Sequence, residues 1–183
     1  MTSRNRSGNT VEAGVPPALQ SGSQPTRRLP QQKTDIRIRD AKLSDAPELA
    51  VLMCELGYET KRAEMETRLK LILSDPAYKT FVAIMDRRVC GMIATLTYPS
   101  YEHDDLSGRI VALVVTKRRR RSGVGRTLLA AAEKDFAKRK ITRVSLTTRF
   151  TREDAHQFYG ALGYSRTGFR FGKNLSTPPT KDG

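Results

Sequence analysis

The sequence predicts one α/β domain with a mixed, mostly antiparallel central sheet flanked by about four helices. Segments of alternating or continuous apolar residues, typical of strands, are interspersed with segments whose apolar residues recur at helical spacing. Their order is β-α-α-β-β-β-α-β-α-β, which favours a mixed sheet. The 183 residues are enough for one ordinary domain with tails.

The two ends of the chain differ in composition from this central region. Residues 1–34 are rich in Ser, Gly, Pro, Gln and Arg and contain a single acidic residue, Glu12. Such a segment has too little apolar surface to offset the entropy lost on folding. We therefore expect a disordered basic tail over residues 1–34, a folded domain over 35–175 and a polar tail over 176–183.

The first half of the domain is predicted to contain a strand, two helices and a β-hairpin. Ser44 is the candidate N-cap of the first helix, and Gly57 its end. Gly91, inside the second hairpin strand, indicates a bulge or a close approach of another backbone. The predicted elements are a strand at residues 36–39, helices at 44–57 and 61–73, and hairpin strands at 80–84 and 89–96.

The second half continues with a nearly continuous apolar run at residues 110–115, which favours a central strand buried on both faces. The helix after Gly123 presents Val124, Leu128, Leu129, Ala132 and Phe136 on one face. A capping-box pattern at 151–154 precedes the last helix. The remaining predicted elements are a strand at 143–148, a helix through 155–162, and a strand pair at 164–166 and 168–173.

Charge and cysteine content limit the partners and the compartment. The net charge of +14 indicates anionic partners such as nucleic acid, an acidic membrane or a phosphorylated ligand. No run of about 18 apolar residues could span a membrane, and the N-terminus lacks the apolar core of a signal peptide. Cys54 and Cys90 lie in apolar patterns, which favours buried free thiols in a reducing compartment, and so a cytoplasmic protein.

A basic turn with two glycines, residues 116–125, lies between the apolar strand and the helix that follows. Backbone N–H groups at a helix start have no intrahelical partner and attract anions, so this turn could hold a phosphate. It is not a Walker loop, and a third glycine of a dinucleotide fingerprint is missing. The turn on its own is also compatible with a tight connection carrying a solvated basic run.

Two motifs together resemble those of the GNAT N-acetyltransferase superfamily. Arg120-x-x-Gly123-x-Gly125 is similar to the family's coenzyme A pyrophosphate motif. The stretch 155–164, Ala-His-Gln-Phe-Tyr-Gly-Ala-Leu-Gly-Tyr, is similar to its Ala-x-x-Phe-Tyr-x-x-Leu-Gly-Phe helix. The resemblance implies a sheet splayed between two central strands. It also implies an enzyme that transfers the acetyl group of acetyl-CoA to a primary amine, by direct attack in a ternary complex.

The same resemblance implies roles for individual residues. Tyr159 matches the tyrosine that donates a proton to the departing thiolate. Its spacing alone is equally typical of a core position, because it lies on an apolar stripe of its helix. The residues implied to contact the cofactor are Leu113, Val114, Val115, Arg120, Arg121, Ser122, Gly123, Val124, Gly125, Arg126 and Phe158.

The group that takes the proton of the amine is not evident on the central strand, which has no acidic residue over 110–115. Glu102 and His103, in the acidic and aromatic loop 98–108, are the candidates, since an unperturbed histidine has a pKa of about 6.5. A solvated acidic loop, or a subsite for a cationic acceptor, is an alternative. The spacing matches no tight metal-ligand pattern, so we predict no metal site.

The sequence does not identify the amine that accepts the acetyl group. A small-molecule amine is favoured, and a protein lysine or N-terminus would use the same cofactor site. The last segment of the domain, residues 168–173, resembles that of small-molecule members such as aminoalkylphosphonate acetyltransferases. A nucleic-acid-binding module is disfavoured because no aromatic residue interrupts the basic run 117–121. Homodimers are common in the family, so a homodimer is a further expectation.

Overall fold

A computed structural model describes residues 35–175 of the chain. The predictions for the tails, residues 1–34 and 176–183, therefore lie outside the described residues. The strands are β1 (Arg37–Asp40), β2 (Tyr78–Met85), β3 (Arg88–Pro99), β4 (Leu106–Val115) and β5 (Val144–Leu146). The helices are α1 (Ala46–Leu56), α2 (Arg62–Ser74), α3 (Val124–Lys138) and α4 (Glu153–Gly160), with short 3-10 turns at Leu43–Asp45 and Lys117–Arg119.

The strands form one sheet in the order β1-β2-β3-β4-β5. The first four pair antiparallel with their neighbours, and β4 pairs parallel with β5. This parallel pairing covers only Gly108–Ile110 of β4, and beyond it no strand among residues 35–175 pairs with that edge of β4. The predicted mixed, mostly antiparallel sheet that is splayed between two strands is confirmed.

Each face of the sheet carries its own core, because successive residues of a strand point to opposite faces. On one face, α1 and α2 pack through Leu49, Leu52 and Leu69 against Val82 and Val114. On the other face lies α3, together with half-buried residues of α4. All five residues of the predicted α3 stripe are buried there: Val124, Leu128, Leu129, Ala132 and Phe136.

Gly91 confirms the predicted close approach inside the hairpin. A Cβ atom at this position would lie 3.0 Å from the Val114 carbonyl and 3.1 Å from a methyl group of Leu128. The pairing register of β2 and β3 shifts beside it, between Ala83 and Ile84. Glycine therefore allows α3 to lie directly on the sheet where β4 leads into the basic turn.

Several predicted details are wrong. The strand pair at 164–166 and 168–173 is absent from the described residues. An alternating pattern forms a strand only if a neighbouring strand offers an edge to pair with, and the three-residue β5 offers few hydrogen-bond partners.

Ser44 is not the N-cap of α1, whose cap position is Asp45. The pattern before α4 forms no side-chain cap. Cys54 is exposed, whereas Cys90 is buried as predicted. Val111 is 44% exposed, so β4 is not buried on both faces throughout.

Candidate functional site

The basic turn joins β4 to α3 through two residues with positive φ angles. Arg121 has a φ of 60° and Gly123, the N-cap of α3, a φ of 88°. A left-handed conformation is unfavourable for residues with a Cβ atom and is readily adopted by glycine. The chain therefore reverses sharply here, and the start of α3 faces the end of β4.

The N–H groups of this turn are free to bind a ligand. The first helical hydrogen bond runs from the Thr127 N–H to the Gly123 carbonyl at 3.0 Å. Within residues 35–175, the backbone N–H groups of residues 121–126 donate to no protein acceptor. A row of unpaired N–H groups at the positive end of a helix dipole is a binding site for a phosphate group.

Two cations of the turn are engaged within the protein. The Arg119 guanidinium pairs with Asp86, in the turn between β2 and β3. The Arg120 Nε donates to the Val115 carbonyl at 3.2 Å, and the Ser122 hydroxyl donates to the Arg119 carbonyl at 2.6 Å. These bonds give the turn its shape, so part of the basic run has a structural role.

Glu55 fastens the start of the turn to α1. One carboxylate oxygen accepts from the Thr116 hydroxyl at 2.8 Å and the other from the Lys117 N–H at 2.7 Å. The sequence analysis did not identify Glu55, because a glutamate on a helix carries no signal for partners more than 60 residues away.

A groove, the β4–β5 groove, opens where the two strands diverge. It has a volume of about 1520 Å³. It is lined by Ile110–Leu113 of β4, by β5 and the connection that follows it, by α4 and the segment beyond it, and by the end of α1. Val111 has no partner in the β3–β4 register, which shifts between Ala94 and Thr95.

The backbone of β4 presents alternate residues to this groove. The Thr116 N–H donates to the Cys90 carbonyl of β3 at 2.9 Å. Because backbone groups alternate in direction along a strand, those of Leu113 and Val115 point away from β3, toward the divergence. Val114 instead buries its side chain against α1.

Phe158 of α4 packs against the basic turn at Gly125. A Cβ atom on Gly125 would lie 3.3 Å from the Phe158 ring and 3.8 Å from a methyl group of Val115. The two motifs recognised in the sequence are thus in contact. Gly125 allows the ring to lie against the first turn of α3, which holds α4 beside the groove.

Tyr159 lines the groove and is half-buried. Its ring packs edge-on against Phe158 and Tyr164, at centroid distances of 5.2 and 5.7 Å. Burial raises the pKa of the Tyr159 hydroxyl, although the charge of Arg152 opposes this shift. The hydroxyl is therefore protonated at neutral pH and can donate. By contrast, the Tyr164 hydroxyl already donates to Glu133 at 2.9 Å.

Glu102 and His103 are exposed in the connection between β3 and β4 and do not line the groove that contains Tyr159. The end of this connection is tied to β5, because the Asp105 carboxylate accepts from Arg143 and from the Thr142 hydroxyl at 3.1 Å. The hydrogen bond from Arg143 lowers the pKa of Asp105, an effect that outweighs desolvation. The Glu102 and His103 roles stay predictions.

His156 of α4 also lines the groove. Its Nε2 lies 3.1 Å from the Arg149 carbonyl and so links α4 to the connection after β5. Among residues 35–175, no cluster of three or more His, Cys, Asp or Glu side chains could hold a metal ion. No helix in this part of the chain is long and apolar enough to cross a membrane.

Comparison with known proteins agrees with this geometry. The profile of the Acetyltransferase (GNAT) family matches residues 46–164, from the start of α1 to the tyrosine beyond α4. The chain belongs to this family. The resemblance recognised from the two motifs is confirmed, and the protein is an acetyltransferase.

A curated relative is the aminoalkylphosphonate N-acetyltransferase of Salmonella typhimurium. It is 32% identical over 139 residues, which cover 75% of this chain and 90% of the relative. Among solved structures, a GNAT family acetyltransferase of Staphylococcus aureus is 25% identical, with a TM-score of 0.67 over 76% of this chain and 98% of that one. The aminoglycoside acetyltransferase meta-AAC0020, from an uncultured soil sample, has a TM-score of 0.67 at 17% identity over 77% of this chain and 97% of its own, and so shares the fold.

Proposed function

We propose that this acetyltransferase moves the acetyl group of acetyl-CoA to a primary amine of a small molecule, by direct attack in a ternary complex. The observation that carries the proposal is the row of free N–H groups at residues 121–126, which adjoins the β4–β5 groove containing Tyr159. The curated relative, named for a small phosphonate substrate, supports a small-molecule acceptor.

The cofactor residues predicted from the sequence suit this role. The N–H groups of Arg121, Ser122, Gly123, Val124, Gly125 and Arg126 would hold the pyrophosphate, because they are unpaired and lie at the start of α3. The outward backbone groups of Leu113 and the outward N–H group of Val115 would bond the pantetheine arm. Arg120 would act mainly by shaping the turn, since its Nε is bound to the Val115 carbonyl.

Tyr159 is proposed as the proton donor. When the amine attacks the thioester carbonyl, the C–N bond forms, the C–S bond breaks, and the sulfur leaves as a thiolate. The phenol of Tyr159 gives its proton to that sulfur. The raised pKa, caused by burial, keeps the phenol protonated at neutral pH.

The proton lost by the amine would pass to solvent or to Glu102 and His103. Since both side chains are exposed and outside the groove, water must connect them to the amine. The free thiols of Cys54 and Cys90 are compatible with a reducing, cytoplasmic location.

The function is tested by measuring free thiol released from acetyl-CoA in the presence of a panel of amines. The panel contains amino acids, aminoalkylphosphonates, polyamines, aminoglycosides and a lysine peptide. We expect saturable release with at least one small amine and little with the peptide. A folded protein that neither binds acetyl-CoA nor releases thiol would refute the proposal.

The role of Tyr159 is tested with Tyr159→Phe. We expect kcat to fall about 100-fold because the proton donor is lost, while the KM for acetyl-CoA changes little because the ring remains. Tyr164→Phe is the matched control, since it removes a neighbouring hydroxyl that is bound to Glu133. Equal turnover of wild type and Tyr159→Phe would reduce Tyr159 to a packing residue.

A further inference from the structure

The walls of the β4–β5 groove carry an excess of positive charge. Apart from Lys117 and Arg120 at the basic turn, the lining contains four arginines. They are Arg149, Arg152, Arg166 and Arg170. The lining acids are Glu55, Glu133 and Asp154. A cleft lined by one sign of charge concentrates ligands of the opposite sign, so the groove favours anions along its length.

The acids of the groove are already engaged. Glu55 holds the basic turn, Glu133 accepts from Tyr164, and Asp154 lies 3.9 Å from Arg152. The guanidinium groups of Arg149, Arg166 and Arg170, in contrast, form no ion pair or hydrogen bond with residues 35–175. These three cations are therefore available to a ligand.

Arg149 is held in place although no acidic side chain among residues 35–175 pairs with it. Its guanidinium lies over the Tyr58 ring, 5.9 Å from the centroid, so it joins the connection after α1 to the connection after β5. Its carbonyl lies 3.1 Å from the His156 ring nitrogen. A cation–π contact restricts a guanidinium without using its N–H groups as hydrogen-bond donors, so they stay free to bind an oxyanion.

Arg166 and Arg170 lie on a segment that returns to the same connection. The rings of Phe150 and Phe169 are in contact, with centroids 6.0 Å apart. Each ring is the sequence neighbour of one of the arginines, Arg149 and Arg170. The ring contact therefore brings Arg149 and Arg170 to one wall of the groove.

On the basis of the proposed function, we propose that Arg149, which lies over the Tyr58 ring, is the centre of an anion subsite and that the acceptor is an amine that also carries a carboxylate or phosphonate group. A positive wall also lowers the pKa of a bound ammonium group. It thereby favours the neutral amine that attacks, in a groove whose β4 lining has no acidic residue. Polycationic acceptors such as aminoglycosides are disfavoured by the same charge.

The experiment compares amines of similar length that differ in charge, with acetyl-CoA and full-length protein. The probes are β-alanine, 2-aminoethylphosphonate, propylamine and 1,3-diaminopropane. We expect kcat/KM to be about tenfold or more higher for the better anionic amine than for propylamine, and lowest for the diamine. The carboxylate and phosphonate arms identify which anion is preferred.

Arg149→Gln should lower kcat/KM about tenfold for the anionic amines and leave propylamine and the KM for acetyl-CoA unchanged. Tyr58→Phe, which keeps the ring, should behave like wild type, whereas Tyr58→Leu should resemble Arg149→Gln. Lys138→Gln, an exposed position on α3 outside the groove, controls for the loss of one positive charge.

Three outcomes would overturn the inference. The diamine could be the best acceptor, or Arg149→Gln could act equally on charged and neutral amines. Arg149→Gln could also raise the KM for acetyl-CoA with every acceptor, which would assign Arg149 to the cofactor phosphates. In each of these cases the acetyl transfer itself persists, whereas absence of thiol release with every amine would refute the proposed function and this inference together.

Discussion

At the residue scale, Gly123 and Gly125 have different tasks in the basic turn. Gly123 needs a left-handed backbone, with a φ of 88°. Gly125 is in a helical position but faces the Phe158 ring, 3.3 Å from where its Cβ atom would lie. Arg120, one of the five cations between β4 and these glycines, is exposed and bound to a backbone carbonyl. The conformation of the backbone is thus more important than side-chain charge for placing the free N–H groups of the turn.

We therefore predict that Gly123→Val weakens acetyl-CoA binding more than Arg120→Ala. A valine at a left-handed position is strained by roughly 1–3 kcal/mol, which corresponds to about a tenfold or greater rise in Kd if the turn moves. Arg120→Ala should raise Kd only about threefold, because exposed cations contribute little. Calorimetric titration of both variants gives the comparison.

Gly172→Val is the control for Gly123→Val, because a Cβ atom at Gly172 would meet no atom of residues 35–175 within 4 Å and this residue lies outside the groove. Its Kd should equal that of wild type. If Arg120→Ala binds more weakly than Gly123→Val, the cations rather than the backbone hold the pyrophosphate.

At the element scale, the site depends on how helices from both faces of the sheet meet the end of β4. From one face, α1 reaches the turn through Glu55, which binds both Thr116 and Lys117. From the other face, α4 reaches it through the contact of Phe158 with Gly125. The turn between β4 and α3 is therefore held on both sides by elements distant in sequence.

Glu55→Gln should raise the KM for acetyl-CoA about tenfold with little change in kcat. The amide is neutral and has one acceptor oxygen in place of two, and loss of a hydrogen bond to a charged group is worth roughly 1.5 kcal/mol. Steady-state kinetics with varied acetyl-CoA measure the effect. Glu48→Gln, on the exposed first turn of α1, is the matched control.

The complementary measurement uses S-acetylpantetheine, which lacks the pyrophosphate. If Glu55 acts by positioning the turn, wild type and Glu55→Gln should use this truncated donor equally well. A fall in kcat with both donors would instead indicate that Glu55 acts on the reacting groups.

At the scale of the whole molecule, an ion pair joins the edge of the sheet to the first helical layer. Both terminal guanidinium nitrogens of Arg39 in β1 donate to the Asp45 carboxylate at 2.7 Å, and the Lys42 N–H donates to it at 2.8 Å. Burial by itself raises the pKa of Asp45, but these hydrogen bonds and the charge of Arg39 outweigh it, so the pKa lies below its usual value. The ionised carboxylate thus stabilises the fold.

Asp45→Asn should lower the free energy of unfolding by about 3 kcal/mol at pH 7, because it leaves Arg39 without its partner. A depressed pKa gives stability that is present above the unfolded-state pKa of about 3.9 and is lost as the pH falls through the lower folded-state pKa. The difference in the free energy of unfolding between wild type and Asp45→Asn should therefore shrink below about pH 4. Urea unfolding at several pH values measures this difference.

Asp104→Asn, at an exposed position in the acidic connection, should leave the free energy of unfolding unchanged. A gap between wild type and Asp45→Asn that stays constant from pH 7 to below pH 4 would contradict the assignment, since the stabilisation would then not depend on the charge of Asp45.

The sequence by itself determined the order of the elements, the buried stripe of α3 and the family of the chain. Each of these depends on local spacing: helical periodicity, glycine at a strand-to-helix turn, and an aromatic pair followed by Leu-Gly. The sequence pattern gave a wrong prediction where an element needs a pairing partner, as for the strand pair expected after α4. Alternating apolar residues are compatible with a strand, but the strand forms only where a neighbouring strand supplies hydrogen-bond partners.

Only the tertiary structure decided which side chains meet at the site. It brought Glu55 to the basic turn, Phe158 to Gly125 and Arg149 to Tyr58, and it left Glu102 and His103 outside the groove. These contacts join residues separated by tens to about ninety positions in the chain. They depend on the packing of helices against both faces of the sheet, and such long-range geometry leaves no periodic signal in the sequence.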